Sequence, residues 1–474
     1  MEKMNIKQII DYRFLARIVI EAVTPLAVHS GEKEIQTDAL VIKDVNGLPY
    51  IPGSSIAGVI RHAWKEAGNH VDFLFGFQKN PKEVPEKEPD DEKVPDGMGS
   101  RIVFTEARIL NSKEKVVDGL QPDALNDALL MHYEDLPIRQ HVRINHCGVA
   151  DVDKKGKFDE QVVYAGTRFC FEMEMIGEER EKTIFESLLG ILYHSTFRLG
   201  SGSRKGFGKI EIKEIQYDEL PLNDPRYLKK SSDLENSKDW YKNPAYEPSS
   251  LKENWLHHRY NLRPKNFFLF GSGYGDDDAD MTPVKEKKVI WEGKKGRLGD
   301  YEYLIPASSV KGALAHRIAF HYNRFTDFYA DDKSEDDIKS HAGSNNEAVK
   351  LLFGSEGDEK GNGKQRGNVI FSDMYLNSAH EKLLNHVAID RFTGGAIDGA
   401  LFSEKIAYWH DANKDNYPLA LDILIDEKRI KTSPIYSKVI EAFNAAMDDL
   451  CNGMLPLGGG VNKGHGIFNG IKTK

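Results

Sequence analysis

One phrase occurs twice in this chain. Ile51-Pro52-Gly53-Ser54-Ser55 returns as Ile305-Pro306-Ala307-Ser308-Ser309, each copy followed three residues later by a glycine (Gly58, Gly312) and then by a histidine (His62, His316). A repeat at so wide a spacing is too long for a solenoid unit and predicts two related domains in one chain. With 474 residues, each half has roughly 200 residues, enough for a core of its own. Other pairs keep the same order: Phe75-Gly76 with Phe353-Gly354, and Arg101-Ile102-Val103-Phe104 with Asn368-Val369-Ile370-Phe371. The glycine run from Gly200 to Gly208 likewise pairs with the run from Gly458 to Gly466.

Periodicity fills in the elements. Residues 13–23 alternate, with Phe14, Ala16, Ile18 and Ile20 opposite Arg13, Arg17 and Glu21, as a half-buried strand does. Pro52-Gly53 breaks the chain, Ser54 or Ser55 is placed to cap a helix, and Ile56, Val59, Ile60, Ala63 and Trp64 follow at helical spacing. Strands are expected over 101–110, 166–175 and 210–215, and a helix over 178–197. The second half repeats this with a first strand at 266–270, a helix from Ser308 carrying Val310, Leu314 and Ile318, a strand at 419–425 and a helix at 439–450. Strand, helix, strands, helix, strand is the ferredoxin-like βαββαβ order, so the expected fold class is α+β with two such domains in tandem. The expected boundaries are 1–217, a connection at 218–253 rich in proline and mixed charge, and 254–474. Residues 79–96 and 331–337 read as acidic surface insertions.

Composition narrows the setting. No apolar run approaches the length of a bilayer span, and residues 1–11 lack the pattern of a secretory signal, so a cytoplasmic protein without a membrane role is expected. Cys147, Cys170 and Cys451 are too few and too far apart for a disulfide frame or a structural zinc site. The net charge of −10 speaks against a protein that coats nucleic acid. Much of that acid lies in the insertions, however, so local charge matters more.

Local charge points to phosphate. Each glycine run joins a helix to a strand and carries cations, Arg204 and Lys205 in one and Lys463 with His465 in the other. Glycines bare their N–H groups and allow close approach, which suits a phosphodiester; the structural reading of one such loop is a long helix C-cap. The helix starts at Ser54, Ser55 and Ser308, Ser309 offer hydroxyls and free N–H groups to the same end, with Arg61 and Lys311 on the helices that follow. Neither run fits G-x-x-x-x-G-K-[ST], and the helix-loop-strand order is the reverse of a dinucleotide fingerprint.

The doubled I-P-x-S-S-x-x-G motif and the closing glycine runs resemble the RAMP superfamily, specifically the backbone subunits of type III CRISPR effector complexes, here as a tandem fusion of the type III-D kind. A third stretch, His386-Val387-Ala388-Ile389-Asp390-Arg391-Phe392-Thr393-Gly394-Gly395, is similar to that family's thumb hairpin, and His141-Val142-Arg143-Ile144-Asn145 keeps a trace of it. The resemblance implies guide RNA (crRNA), target RNA and other effector subunits as partners, with Arg143 and Arg391 on the thumbs. It also implies an aspartate after the first strand that promotes metal-dependent cleavage beside a flipped nucleotide. Asp38 in Asp38-Ala39-Leu40-Val41 matches that place, Asp280 in Asp280-Met281-Thr282-Pro283 matches it more loosely, and a divalent ion such as Mg2+ is the implied cofactor. A purely structural RNA-binding subunit and a guide-processing endonuclease are the alternatives within the same fold.

Overall fold

A computed structural model of the chain describes residues 11–32, 37–78, 97–145, 148–151, 156–230, 232–242, 246, 248, 255–331, 333–357 and 363–473. The insertion at 79–96, Cys147 and nearly all of the leading 1–11 segment lie outside the described residues. In the first half β1 (Tyr12–Ala22), α1 (Gly53–Glu66), β2 (Ile102–Phe104), β3 (Arg108–Ile109), β4 (Ile138–Val142), β5 (Lys157–Gln161), β6 (Arg168–Gly177), α2 (Lys182–Ile191) and β7 (Ile210–Pro221) follow one another. In the second come β8 (Leu256–Pro264), β9 (Val289–Glu292), β10 (Lys295–Leu298), β11 (Glu302–Ile305) and α3 (Ala307–Phe325), then β12 (Val369–Phe371) and β13 (Met374–Leu376). It closes with β14 (His380–Ile389), β15 (Ala396–Tyr408), β16 (Leu419–Ile425), α4 (Tyr436–Cys451) and β17 (Phe468–Thr473).

Each half is built on one antiparallel sheet. The strand order is β2-β6-β1-β7 in the first, with β3 also on β6, and β12-β16-β8-β17 in the second. The first strand thus lies in the middle, between the last strand and the one that precedes the second helix. Phe14, Ile18 and Ile20 of β1, Phe171 and Met173 of β6, Ile56 and Ile60 of α1 and Leu188 of α2 form one core. Leu262, Leu421 and Ile423 close on Val310, Leu314, Phe443 and Met447 in the other. Apolar faces spaced at three and four residues on the helices and at two on the strands dictate this layering.

Several expectations need correction. The first strand of the second half is β8, not 266–270; His257, Arg259 and Asn261 mask its alternation, while Tyr260 and Leu262 face the core. The helix expected over 178–197 is regular only over α2, after a 3₁₀ turn at Glu179–Glu181. Neither serine caps its helix: α1 and α3 begin directly after Pro52 and Pro306, which puts the serines within the first turn. The stretch 331–337 includes the start of a short helix, Glu335–His341, with a Ser334–Asp337 capping box.

The strands β1 and β6 are buried on both faces, although their sequence alternates. Residues read as connection cover the second face: 218–221 complete β7, while Leu234 packs with Val19, Leu110 and Cys170. The charges there are buried because they are paired. Arg168 meets Glu21 and Glu114, and Glu172 meets Lys230 and, 3.1 Å away, the Tyr241 hydroxyl.

The halves are welded together. The β9–β10 hairpin, an insertion after Lys285 with no counterpart in the first half, lays Val289 N–H on Ala165 O (2.8 Å) and Trp291 Nε1 on Gly166 O (2.8 Å). From the other side the β4–β5 hairpin reaches into the second half, where Arg139 is buried against Glu286 and Asp373. Among the described residues no helix is long and apolar enough to cross a membrane.

Candidate nucleic-acid interface

The two glycine runs fold alike because they dock on the same strand exit. Ser201 N–H donates to Ala27 O and Gly459 N–H to Leu269 O, both at 2.7 Å. Gly208 and Gly466 have φ of 77° and 76°, and a Cβ on either would lie 2.1 or 2.0 Å from the carbonyl oxygen of Leu199 or Leu457. Only glycine fits there. The closely folded loops carry their lysines to matched places. Lys205 Nζ lies 4.3 Å from the Phe158 ring centre and 3.8 Å from Glu160, and Lys463 Nζ lies 4.7 Å from Phe402 and 3.8 Å from Glu404.

Each phenylalanine sits at the base of a hairpin, stacked on a histidine that approaches the same glutamate. His141 stacks on Phe158 at 4.8 Å and stands 2.9 Å from Glu160; His386 stacks on Phe402 at 4.7 Å and stands 2.7 Å from Glu404. Burial works against the charge on Glu160. The contact with His141 and the charges of Lys205, His141 and His29 prevail, and its carboxyl is held below the usual range. The glutamates escaped the sequence reading and the histidines entered it only within the thumb-like stretches, although Phe-x-Glu opposite a histidine recurs in both hairpins and could have signalled the group.

The aspartates occupy equivalent positions beside these hairpins. Ala39 bridges Glu160 in parallel, as Met281 bridges Glu404. Asp38 and Asp159 exchange backbone-to-carboxylate bonds of 2.9 and 3.3 Å, and Asp38 is exposed. Asp280 instead accepts from Ser403 N–H at 2.8 Å and from its hydroxyl at 3.0 Å, contacts that hold its carboxyl below the ordinary value. The first half adds His29, 3.6 Å from Glu160; Gly271 occupies the corresponding place in the second.

The first-half loop also meets the start of α3, so its opposite wall belongs to the other half rather than to α1. A Cβ on Gly206 would fall 2.6 Å from Ala307 Cβ. Arg204 Nε donates to Gly367 O at 2.6 Å. Lys311, one turn into α3, has its pKa pushed down to about 8, chiefly by burial and then by the charges of Arg204 and Lys205. Three cations are thus gathered at a helix N-terminus whose first turn carries Ser308 and Ser309, an arrangement that favours an anion.

Other candidates are placed elsewhere. Arg61 pairs with Asp72 at 3.6 Å on the exposed side of α1, whose first turn holds exposed Ser54 and half-buried Ser55. Arg143 pairs with Asp151 and Glu356 at the first hairpin, and Arg391 is exposed at the tip of the second beside fully exposed Phe392. His465 is 8% exposed and packs edge-on to Phe267 beneath its loop, so it does not reach the surface as a phosphate ligand would. Among the described residues no group of three or more His, Cys, Asp or Glu side chains is placed to hold a metal ion. A single exposed carboxylate, as at Asp38 or Asp280, fits an ion such as Mg2+ whose remaining ligands would be water and phosphate.

The model of the RAMP superfamily matches the chain twice, over residues 19–211 and 264–469, one match to each half. No curated protein matches the sequence.

Proposed function

Because the chain belongs to the RAMP superfamily, we propose that it is an RNA-binding subunit of a CRISPR effector complex of type III, with both halves folded as ferredoxin-like modules along a guide RNA. The strand order of the two sheets supports that fold. The observation that carries the function is the doubling of one cationic arrangement: a glycine-loop lysine over a hairpin phenylalanine, with Arg204 and Lys311 added where the first loop meets α3. Cations at such loops grip phosphates without reading bases, as a guide-binding backbone requires. The β14–β15 hairpin, with Phe392 exposed at its tip, suits a wedge that opens a guide–target duplex and turns out a nucleotide.

Cleavage of the target follows from Asp38. At a kink the ribose 2′-oxygen comes into line with its own phosphorus; it attacks, the bond to the 5′-oxygen breaks, the 2′-proton passes to the Asp38 carboxylate and water protonates the leaving oxygen. A divalent ion held between Asp38 and the RNA phosphates would supply charge stabilisation. Asp280 stands in the equivalent place, but its carboxylate is engaged by Ser403, which favours a binding role without cleavage for the second half. In the assembled complex Asp38→Ala should remove one cut at a fixed position and leave binding intact. An unchanged set of cuts would refute catalysis by Asp38.

A further inference from the structure

Both halves carry a pair of carboxylates at the same two places. Lys43 pairs with Pro49 as Lys285 pairs with Tyr303, which makes Asp44 and Glu286 counterparts. Ile51 faces Ala107 as Ile305 faces Met374, which makes Glu106 and Asp373 counterparts and sets Arg108 against Tyr375. Each pair is satisfied by an arginine, from a different source in each case. In the first half Arg108 fills its own socket, 3.3 Å from Asp44, in contact with Glu106 and 5.3 Å from the Tyr50 ring centre.

In the second half Tyr375 brings no charge, and the arginine comes from the other half. Arg139, on β4 of the first hairpin, holds Glu286 with Nε and with Nη2 at 2.7 Å, and Asp373 with Nη1 at 2.6 Å. Its side chain is 4% exposed. The second hairpin lacks this arginine. Arg139 lies across its hairpin from Glu160, and the residue across from Glu404 is Leu384.

We propose that residues 108, 139 and 384 form a pairing code that allows one stacking step, inside the chain, and forbids the next between copies. The β14–β15 hairpin corresponds to one seated on a neighbouring module, yet it leaves Leu383, Val387 and Leu401 exposed, the last at 70%. A second copy cannot cover it. That copy's first-half socket is closed by Arg108, and Leu384 against the network of Asp44, Glu106 and Arg108 would strip water from charges and offer them nothing. The hairpin base therefore docks on a module of a different chain whose socket is apolar where this chain has its carboxylates. The code rests on the doubled geometry and not on the RNA reading.

Sedimentation velocity of the full chain without RNA, over the micromolar range, tests it. The wild-type chain and the single variants Leu384→Arg and Arg108→Tyr should each remain monomeric. An equimolar mixture of the two variants should form a one-to-one complex, because one supplies the key and the other an open socket, with association at least about a hundred-fold tighter than wild type with itself. The double variant should form open, concentration-dependent chains. Circular dichroism verifies that each variant is folded, and Arg108→Gln replaces Arg108→Tyr if the latter is not. Head-to-tail oligomers of the wild type, or a folded mixture that stays monomeric, would overturn the code.

Discussion

Lys205 Nζ stands over the Phe158 ring, 4.3 Å from its centre, and is drawn toward Glu160 at 3.8 Å. The ring and the carboxylate fix a flexible side chain in one place, so less entropy is lost when it grips a phosphate. Lys463 repeats the relation with Phe402 and Glu404. Replacing either lysine by alanine should weaken RNA binding about equally for all sequences and lower the salt slope by about one unit, and the double variant by about two. Filter binding over a salt series measures this. An unaltered slope in the double variant would remove both lysines from the phosphate path.

Lys311 should make RNA binding depend on pH. Its pKa is pushed down to about 8 by burial and by neighbouring cations, so it loses its charge well below an ordinary lysine. Affinity should fall as pH rises from 7 to 9 in the wild type and stay level in Lys311→Arg, whose guanidinium keeps its proton. For stability the sign is opposite. The unfolded chain holds more protons than the folded one between about pH 8 and the ordinary lysine value of 10.5, so this group adds stability as pH rises through that window. Titration of binding and of urea midpoints on the same two proteins separates the two effects.

The helix faces were legible because Val310, Leu314 and Ile318 are spaced for burial against one side. The prolines of the doubled motif marked the helix starts, although the helices begin directly after Pro52 and Pro306 and not at a capping serine. What the sequence hid is where charge is neutralised by charge. Arg168 and Glu172 lie in the strand expected over 166–175, but they are buried with partners from 114 and 230, contacts that no local period encodes. Arg204 read as a phosphate ligand but also donates to a carbonyl of the other half. His465 read as a cation at the surface, yet the turn at Gly460 folds over its ring. The lysine platforms were half visible, since the loops announced themselves by glycine while the hairpin residues that aim the lysines lie about 50 residues away or more.

Arg139 ties the first half to the second through buried charge. Its guanidinium, Glu286, Asp373 and the Tyr375 hydroxyl form one buried network, and burial and the surrounding negative charge push the Tyr375 hydroxyl well above its ordinary pKa. Removing only the cation leaves two carboxylates without their partner in a site with almost no access to water. Arg139→Met should therefore cost about 3–5 kcal/mol in urea unfolding. Methionine matches the apolar stem of arginine, so little of that loss comes from packing. The triple variant Arg139→Met, Glu286→Gln, Asp373→Asn should recover most of it, since neutral amides in the same volume carry no uncompensated charge. If the triple variant is no more stable than the single one, the loss belongs to the shape of the interface and not to its charges.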